Sequence, residues 1–150
     1  MTGMDRVREL AGRESGLAVV FVSRSDGSGS ASVVNAGVLD HPITFEPAVG
    51  FVARGGARKL AYLRARPRVT IVFRSDWEWV AVEGDAQLIG PQDSFAELEP
   101  GDVASLLRAV YAAAVGGTQA DWAELDSVMA AEGQTAVLVR PYRVYSNPGP

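Results

Sequence analysis

Apolar positions fall into short runs separated by Gly-, Pro- and Asp-rich breaks, the spacing of strands joined by turns. Val7, Leu10 and Ala11 predict a short amphipathic helix ending by Gly16. Leu17 to Ser23 is almost continuously apolar and rich in Val and Phe, which predicts a buried strand. Ser25-Asp26-Gly27-Ser28 supplies the positive φ values of a tight hairpin, so Ser30 to Val38 reads as the returning strand. His41 to Pro47 reads as a loop, and Ala48 to Ala53 as a third strand closed by Gly55-Gly56.

Arg58 to Ala65 predicts a short helix with Leu60 and Leu63 on its inner face, stopped by Pro67. Strands follow at Val69–Phe73 and Trp77–Ile89, the second with a bulge at Gly84. Asp102 opens a helix whose Leu106, Leu107, Val110, Tyr111 and Ala114 form one stripe, ended by Gly116-Gly117. Trp122, Leu125, Val128 and Met129 mark another helix, and Thr135 to Tyr145 a last strand broken near Pro141. Five or six strands linked mostly by hairpins, with two or three peripheral helices, describe an antiparallel barrel or sandwich. No linker or repeat divides residues 1–150, so one mainly-β domain is expected; the alternating βαβ spacing of a Rossmann fold is missing.

Composition narrows the chemistry. The chain has no cysteine, which removes disulfides, thiolate metal sites and a cysteine nucleophile. His41 is the single histidine, so no imidazole pair can build a metal site and none is expected. Placed in a polar loop before Pro42, His41 reads as a surface residue rather than a base. No apolar run reaches the roughly 20 residues of a membrane span, and Arg6, Arg8, Glu9, Arg13 and Glu14 occupy the place of a signal peptide's apolar core. A cytoplasmic address without membrane attachment is expected.

The net charge of −4 argues against a nucleic-acid binder. The average hides a segregation, because residues 47–75 contain no acid but seven of the fourteen basic residues: Arg54, Arg58, Lys59, Arg64, Arg66, Arg68 and Arg74. That pattern predicts a local anion site. A strand ending in Arg54, a Gly-Gly turn and a helix opening with Arg58-Lys59 put backbone N–H groups and cations around one point, as a phosphate requires. It is not a Walker loop, since the first glycine and the Ser/Thr after Lys59 are missing. Ser30 and Ser32 share one face of the second strand, with Asn35 on the other. Trp77 and Trp79 flank Glu78 and are expected to point the same way, as core, a dimer seam or the wall of a planar-ligand pocket.

The order of these segments carries a resemblance. An Asp-Gly hairpin precedes Ala31-Ser32-Val33-Val34-Asn35, then Gly50-Phe51-Val52-Ala53-Arg54-Gly55-Gly56-Ala57-Arg58-Lys59-Leu60, then Leu63 to Arg68, Val69-Thr70-Ile71-Val72, Trp79 to Gly84, and Val139 to Tyr145. Over Leu17 to Tyr145 the chain resembles the pyridoxamine 5′-phosphate oxidase-like split β-barrel superfamily, and most its F420-dependent flavin/deazaflavin oxidoreductase branch. The resemblance implies a six-stranded antiparallel split β-barrel with peripheral helices, and a homodimer with cofactor sites at its interface. It implies a cofactor phosphate on Lys59, Arg58 and Arg54, and a tricyclic ring along Ser32, Val33, Val34 and Asn35; Trp77 and Trp79, from their own spacing, are further cofactor-site candidates. Val52 or Ala53 stands where the family often has Ser or Thr, and Tyr62 where it often has Asn, so phosphate binding leans on Arg and Lys.

The implied reaction is hydride transfer from reduced F420 to a small unsaturated or heteroaromatic substrate, with no catalytic side chain singled out. Arg64, Arg66 or Arg68 would attract the acidic F420 tail. The alternatives are an FMN-dependent oxidase of the pyridoxamine 5′-phosphate type and a non-catalytic flavin or deazaflavin carrier. Haem is disfavoured because His41 is the only imidazole.

Overall fold

The computed structural model describes residues 3–93, 99–115 and 132–148. Its elements follow in the order α1 (Gly3–Arg13), β1 (Leu17–Ser23), β2 (Gly29–Asp40), β3 (Pro47–Ala53), α2 (Arg58–Ala65), β4 (Arg68–Ser75), β5 (Glu78–Ile89), α3 (Pro100–Val115) and β6 (Thr135–Ser146). The six strands close into an antiparallel barrel in the order β1-β2-β3-β6-β5-β4. The helix expected at Trp122–Met129 lies outside the described residues.

Strand alternation builds the core. Ala18, Val20 and Val22 of β1, Val69, Ile71 and Phe73 of β4, and Val80 and Val82 of β5 all point into the barrel and are buried. Val7 and Leu10 of α1 and Leu60 and Leu63 of α2 join the same cluster. Each such large side chain contributes about 1.5–3 kcal/mol by leaving water. Leu138 points to the opposite face of β6 from Val137 and Val139, and there meets Ile89, Ala136, Leu106 and Val110 in a smaller core. That second core seats α3 on the outside of β2, β3 and β6. Asp102, in the first turn of α3, reaches back to accept the Glu99 N–H at 3.2 Å.

Two local expectations change. The bulge stands at Gly84 as expected, but the last strand is not broken near Pro141: with Gly84 opposite Pro141 at the register shift after Glu83, β6 runs unbroken from Thr135 to Ser146. An irregular rung is where a strand proline loses least, since its missing N–H has no ladder partner to fail. Trp77 is not part of β5: Asp76 takes a positive φ of 53°, and Asp76-Trp77 forms the turn between Ser75 and Glu78.

That turn is tied to α1. Arg6 donates to Glu78 at 3.0 Å, Arg13 donates to the second Glu78 oxygen, and the Ser75 hydroxyl donates to Glu14 at 3.1 Å. The bond from Arg13, then that from Arg6, holds the Glu78 carboxyl below the usual carboxylate range. A carboxylate depressed in the fold stabilises it fully above the unfolded-state value of 4.5 and loses that contribution as pH falls through the folded-state value. Urea midpoints should therefore decline in acid, and Glu78→Gln should flatten that part of the profile. An unchanged profile would show that this cluster contributes nothing to acid sensitivity.

Candidate cofactor site

The barrel is split along β2. From Gly29 to Asn35 this strand pairs with β1, and from Ala36 to Asp40 it pairs with β3. Beyond the Ala36–Phe51 rung the two strands separate: β3 continues through Val52 and Ala53 along β6, while β2 runs back along β1. Every second peptide group on the Ser30–Val34 arm therefore faces away from β1, with no strand beside it among the described residues. Arg54, Arg58 and Lys59 follow on the other arm. The register thus leaves a strand edge on one arm, while the other arm leads into a cationic turn.

On the first arm Ser30, Ser32 and Val34 are half-buried, and Val33 and Asn35 alternate with them toward solvent. Val33 is 66% exposed. The Asn35 side chain is already used, donating to the Ser15 carbonyl at 2.9 Å and fixing the turn between α1 and β1.

On the second arm the turn is shaped by backbone packing. An added Cβ at Gly55 would lie 2.7 Å from the Gly133 carbonyl oxygen, so a side chain there would push residues 132–134 away. Arg54 is exposed and lies 3.6 Å from Glu132. Ala57, the N-cap before α2, is in extended conformation, no side chain among the described residues caps the helix, and its first turn holds no acid. Among the described residues Arg58 and Lys59 have no acidic partner. An uncapped helix start beside two unneutralised cations favours an anion.

The other cations of the basic segment differ. Arg64 is held bidentately by Asp93, Nε at 2.9 Å and Nη2 at 2.7 Å. Arg68 stacks on Tyr142 at 5.5 Å, and Arg74 donates to the Asp76 carbonyl at 2.9 Å. Arg66 is exposed and has no acidic partner among the described residues. Of the three cations expected to draw an acidic tail, Arg64 is therefore already neutralised.

The tryptophans do not stand together. Trp79 points outward from β5 and meets Tyr145 edge-on, centroids 6.0 Å apart. Trp77 projects from the turn at 91% exposure. Across the outer face, Asn35, Leu17, Arg74 and Trp79 occupy one row of neighbouring strands. Three strand spacings separate Asn35 from Trp79, about 14 Å, so neither tryptophan walls the β2 arm of its own chain.

Sequence reasoning overlooked this outer face. Val33, Val19, Val72, Ala81 and Tyr145 form an apolar row across five strands. Leu17, Phe21 and Tyr145 are 43–49% exposed. The signal was in β1, where both faces are apolar, as in a strand covered on both sides. His41 is also a correction. It is 4% exposed, its Nδ1 accepts the N–H groups of Ile43 at 3.1 Å and Thr44 at 3.3 Å, and its Nε2 lies 2.6 Å from the side-chain Oε1 of Gln87.

The same six-stranded barrel fold recurs in solved structures of low sequence identity. A pyridoxamine 5′-phosphate oxidase-related, FMN-binding protein from Nostoc punctiforme superposes with a TM-score of 0.66 at 14% identity, over 96% of this chain and 79% of that one. A conserved hypothetical protein from Mycobacterium tuberculosis matches with a TM-score of 0.65 at 18% identity, over 92% and 81%. A heme binding protein from Mycobacterium smegmatis matches with a TM-score of 0.64 at 18% identity; 99% of this chain spans 55% of that chain, just over half its length. No family model and no curated protein matches the sequence. No helix among the described residues is long and apolar enough to cross a membrane.

Proposed function

We propose that the chain is a homodimeric flavin-binding protein of oxidoreductase type, with FMN as its cofactor. The observation that supports this reading is the split at Ala36–Phe51, which leaves Ser30–Val34 as a strand edge on one arm while the other arm leads into the Arg58-Lys59 helix start, without an acidic partner among the described residues. Arg58 and Lys59 would hold the cofactor phosphate, with Arg54 at the rim. The backbone of Ser32, Val33, Val34 and Asn35 would bond the polar edge of the ring. A bound flavin supplies the hydride or electron transfer; the protein supplies position and exclusion of water for a small-molecule substrate. The exposed row around Val33 is the surface on which a second copy would close the site, and Trp77 or Trp79 would approach the ring only from that copy.

FMN carries one phosphate, which Arg58 and Lys59 can neutralise between them. F420 adds an acidic tail, and the pairing of Arg64 with Asp93 removes one of the cations such a tail would need. Arg66, exposed and without an acidic partner among the described residues, is the observation that favours F420-dependent hydride transfer as the second reading. The haem bound by the mycobacterial neighbour finds no axial imidazole here, because the His41 ring is buried with both nitrogens engaged.

Titration of the purified protein with FMN and with F420, followed by absorbance and sedimentation, tests the proposal. One FMN per chain on a dimer is expected, with weaker F420 binding. Tight F420 binding without FMN binding would transfer the assignment to the deazaflavin, and absence of both would overturn the cofactor site.

A further inference from the structure

Trp77 is 91% exposed, yet the turn that carries it is held on every side. Arg74 donates to the Asp76 carbonyl at 2.9 Å, and the Asn147 amide donates to the Trp77 carbonyl at 3.1 Å. The Trp79 N–H returns to the Asn147 side-chain oxygen at 3.1 Å, and Glu78 is clamped by Arg6 and Arg13. A large aromatic ring on a preorganised backbone loses little entropy on binding, which is the character of an interface anchor. Nothing within the described chain covers the indole.

The outer barrel face beside this turn carries the complementary feature. Leu17, Val19, Val33 and Val72 line a hollow of about 210 Å³, with Glu14 and Arg74 among its walls. An apolar cavity of about 150 Å³ admits benzene, so this hollow has room for most of an indole. A knob and a hollow on one face are satisfied together by a single two-fold axis. The axis lies in the interface plane, midway between the two features and perpendicular to the line joining them, and it carries each knob onto the other copy's hollow.

We propose that a second copy of this chain docks on this face with Trp77 of each subunit seated in the hollow of the other. The hollow has one ionic wall of each sign, Glu14, which accepts the Ser75 hydroxyl, and Arg74, and Arg74 is the one complementary to an acid beside the knob. Asp76 adjoins Trp77 and its carboxylate has no partner among the described residues, while Arg74 stands at the hollow. Seating the indole brings the partner subunit's Asp76 toward Arg74, and symmetry repeats the pair. This inference rests on the homodimer reading above and adds to it the residue that anchors the dimer and the surface that receives it.

Sedimentation of Trp77→Ala and Val33→Asp beside the unaltered chain tests it. Both positions are exposed, so circular dichroism should show both variants folded. Truncating an interface anchor should raise the dimer dissociation constant at least thirtyfold, on the order of an interface hot spot. A carboxylate in the hollow should do the same. An unaltered chain that dimerises while either variant dimerises equally well would overturn this seating and leave the homodimer standing. A monomeric unaltered chain at micromolar concentration would overturn the homodimer and this inference together, whatever the FMN titration shows.

Discussion

Gly37→Ala is expected to unseat α3 and lower the melting temperature by roughly 10 °C. Gly37 pairs with Gly50 across β2 and β3, beneath α3. A Cβ at Gly37 would press into the Ala113 carbonyl, far inside the 3.0 Å that real Cβ atoms keep. The obstructing atoms are backbone and cannot rotate aside. Relief requires lifting the helix, which draws Leu106 and Val110 away from Ile89, Ala136 and Leu138. Overpacking of this kind costs about 3 kcal/mol, and a chain of this size loses about 2–4 °C per kcal/mol. Gly56→Ala is the control, since a Cβ there meets nothing within 4 Å among the described residues. Thermal denaturation followed by circular dichroism should separate the two clearly; equal melting temperatures would mean that α3 does not rest on Gly37.

What the sequence disclosed and what it hid follow from the range of the forces involved. The Asp-Gly hairpin, the proline-stopped helix at Arg58–Ala65 and the bulge at Gly84 depend on local stereochemistry, and each stands where the residues place it. The Asp76-Trp77 turn has neither glycine nor proline, so alternation carried Trp77 into the strand; the positive φ falls instead on Asp76, which tolerates it. His41 reads as a surface residue because the partners that bury it are set by the fold. Gln87 is brought to it only by barrel closure, and the turn N–H groups only by the fold of the hairpin. The basic segment was legible as a cluster, but not which members are spent. Asp93, 29 residues away along the chain, neutralises Arg64, and Tyr142 takes Arg68. Long-range pairing decided which cations remain for a ligand.

The Arg58→Ala/Lys59→Ala double variant is expected to bind FMN at least a hundredfold more weakly while the cofactor-free protein melts unchanged. Each charge-assisted bond to a phosphate is worth about 1.5–3 kcal/mol, and 1.4 kcal/mol is a decade in affinity. Two such bonds lost together exceed two decades even at the low end. The fold has little stake in either side chain: neither has an acidic partner among the described residues, and Arg58 is exposed at the first turn of α2. Alanine is also the better helix former, and removing adjacent like charges relieves repulsion. Two companions divide the cluster further. Arg64→Ala should leave FMN affinity alone, because that guanidinium already serves Asp93. Arg66→Ala should matter only to a ligand with an acidic tail, and only within the Debye length of about 8 Å at physiological salt. Isothermal titration with FMN and F420 at two salt concentrations would read all of these. Retention of FMN affinity by the double variant would remove the phosphate from the start of α2, and with it the placement of the ring along Ser32–Asn35.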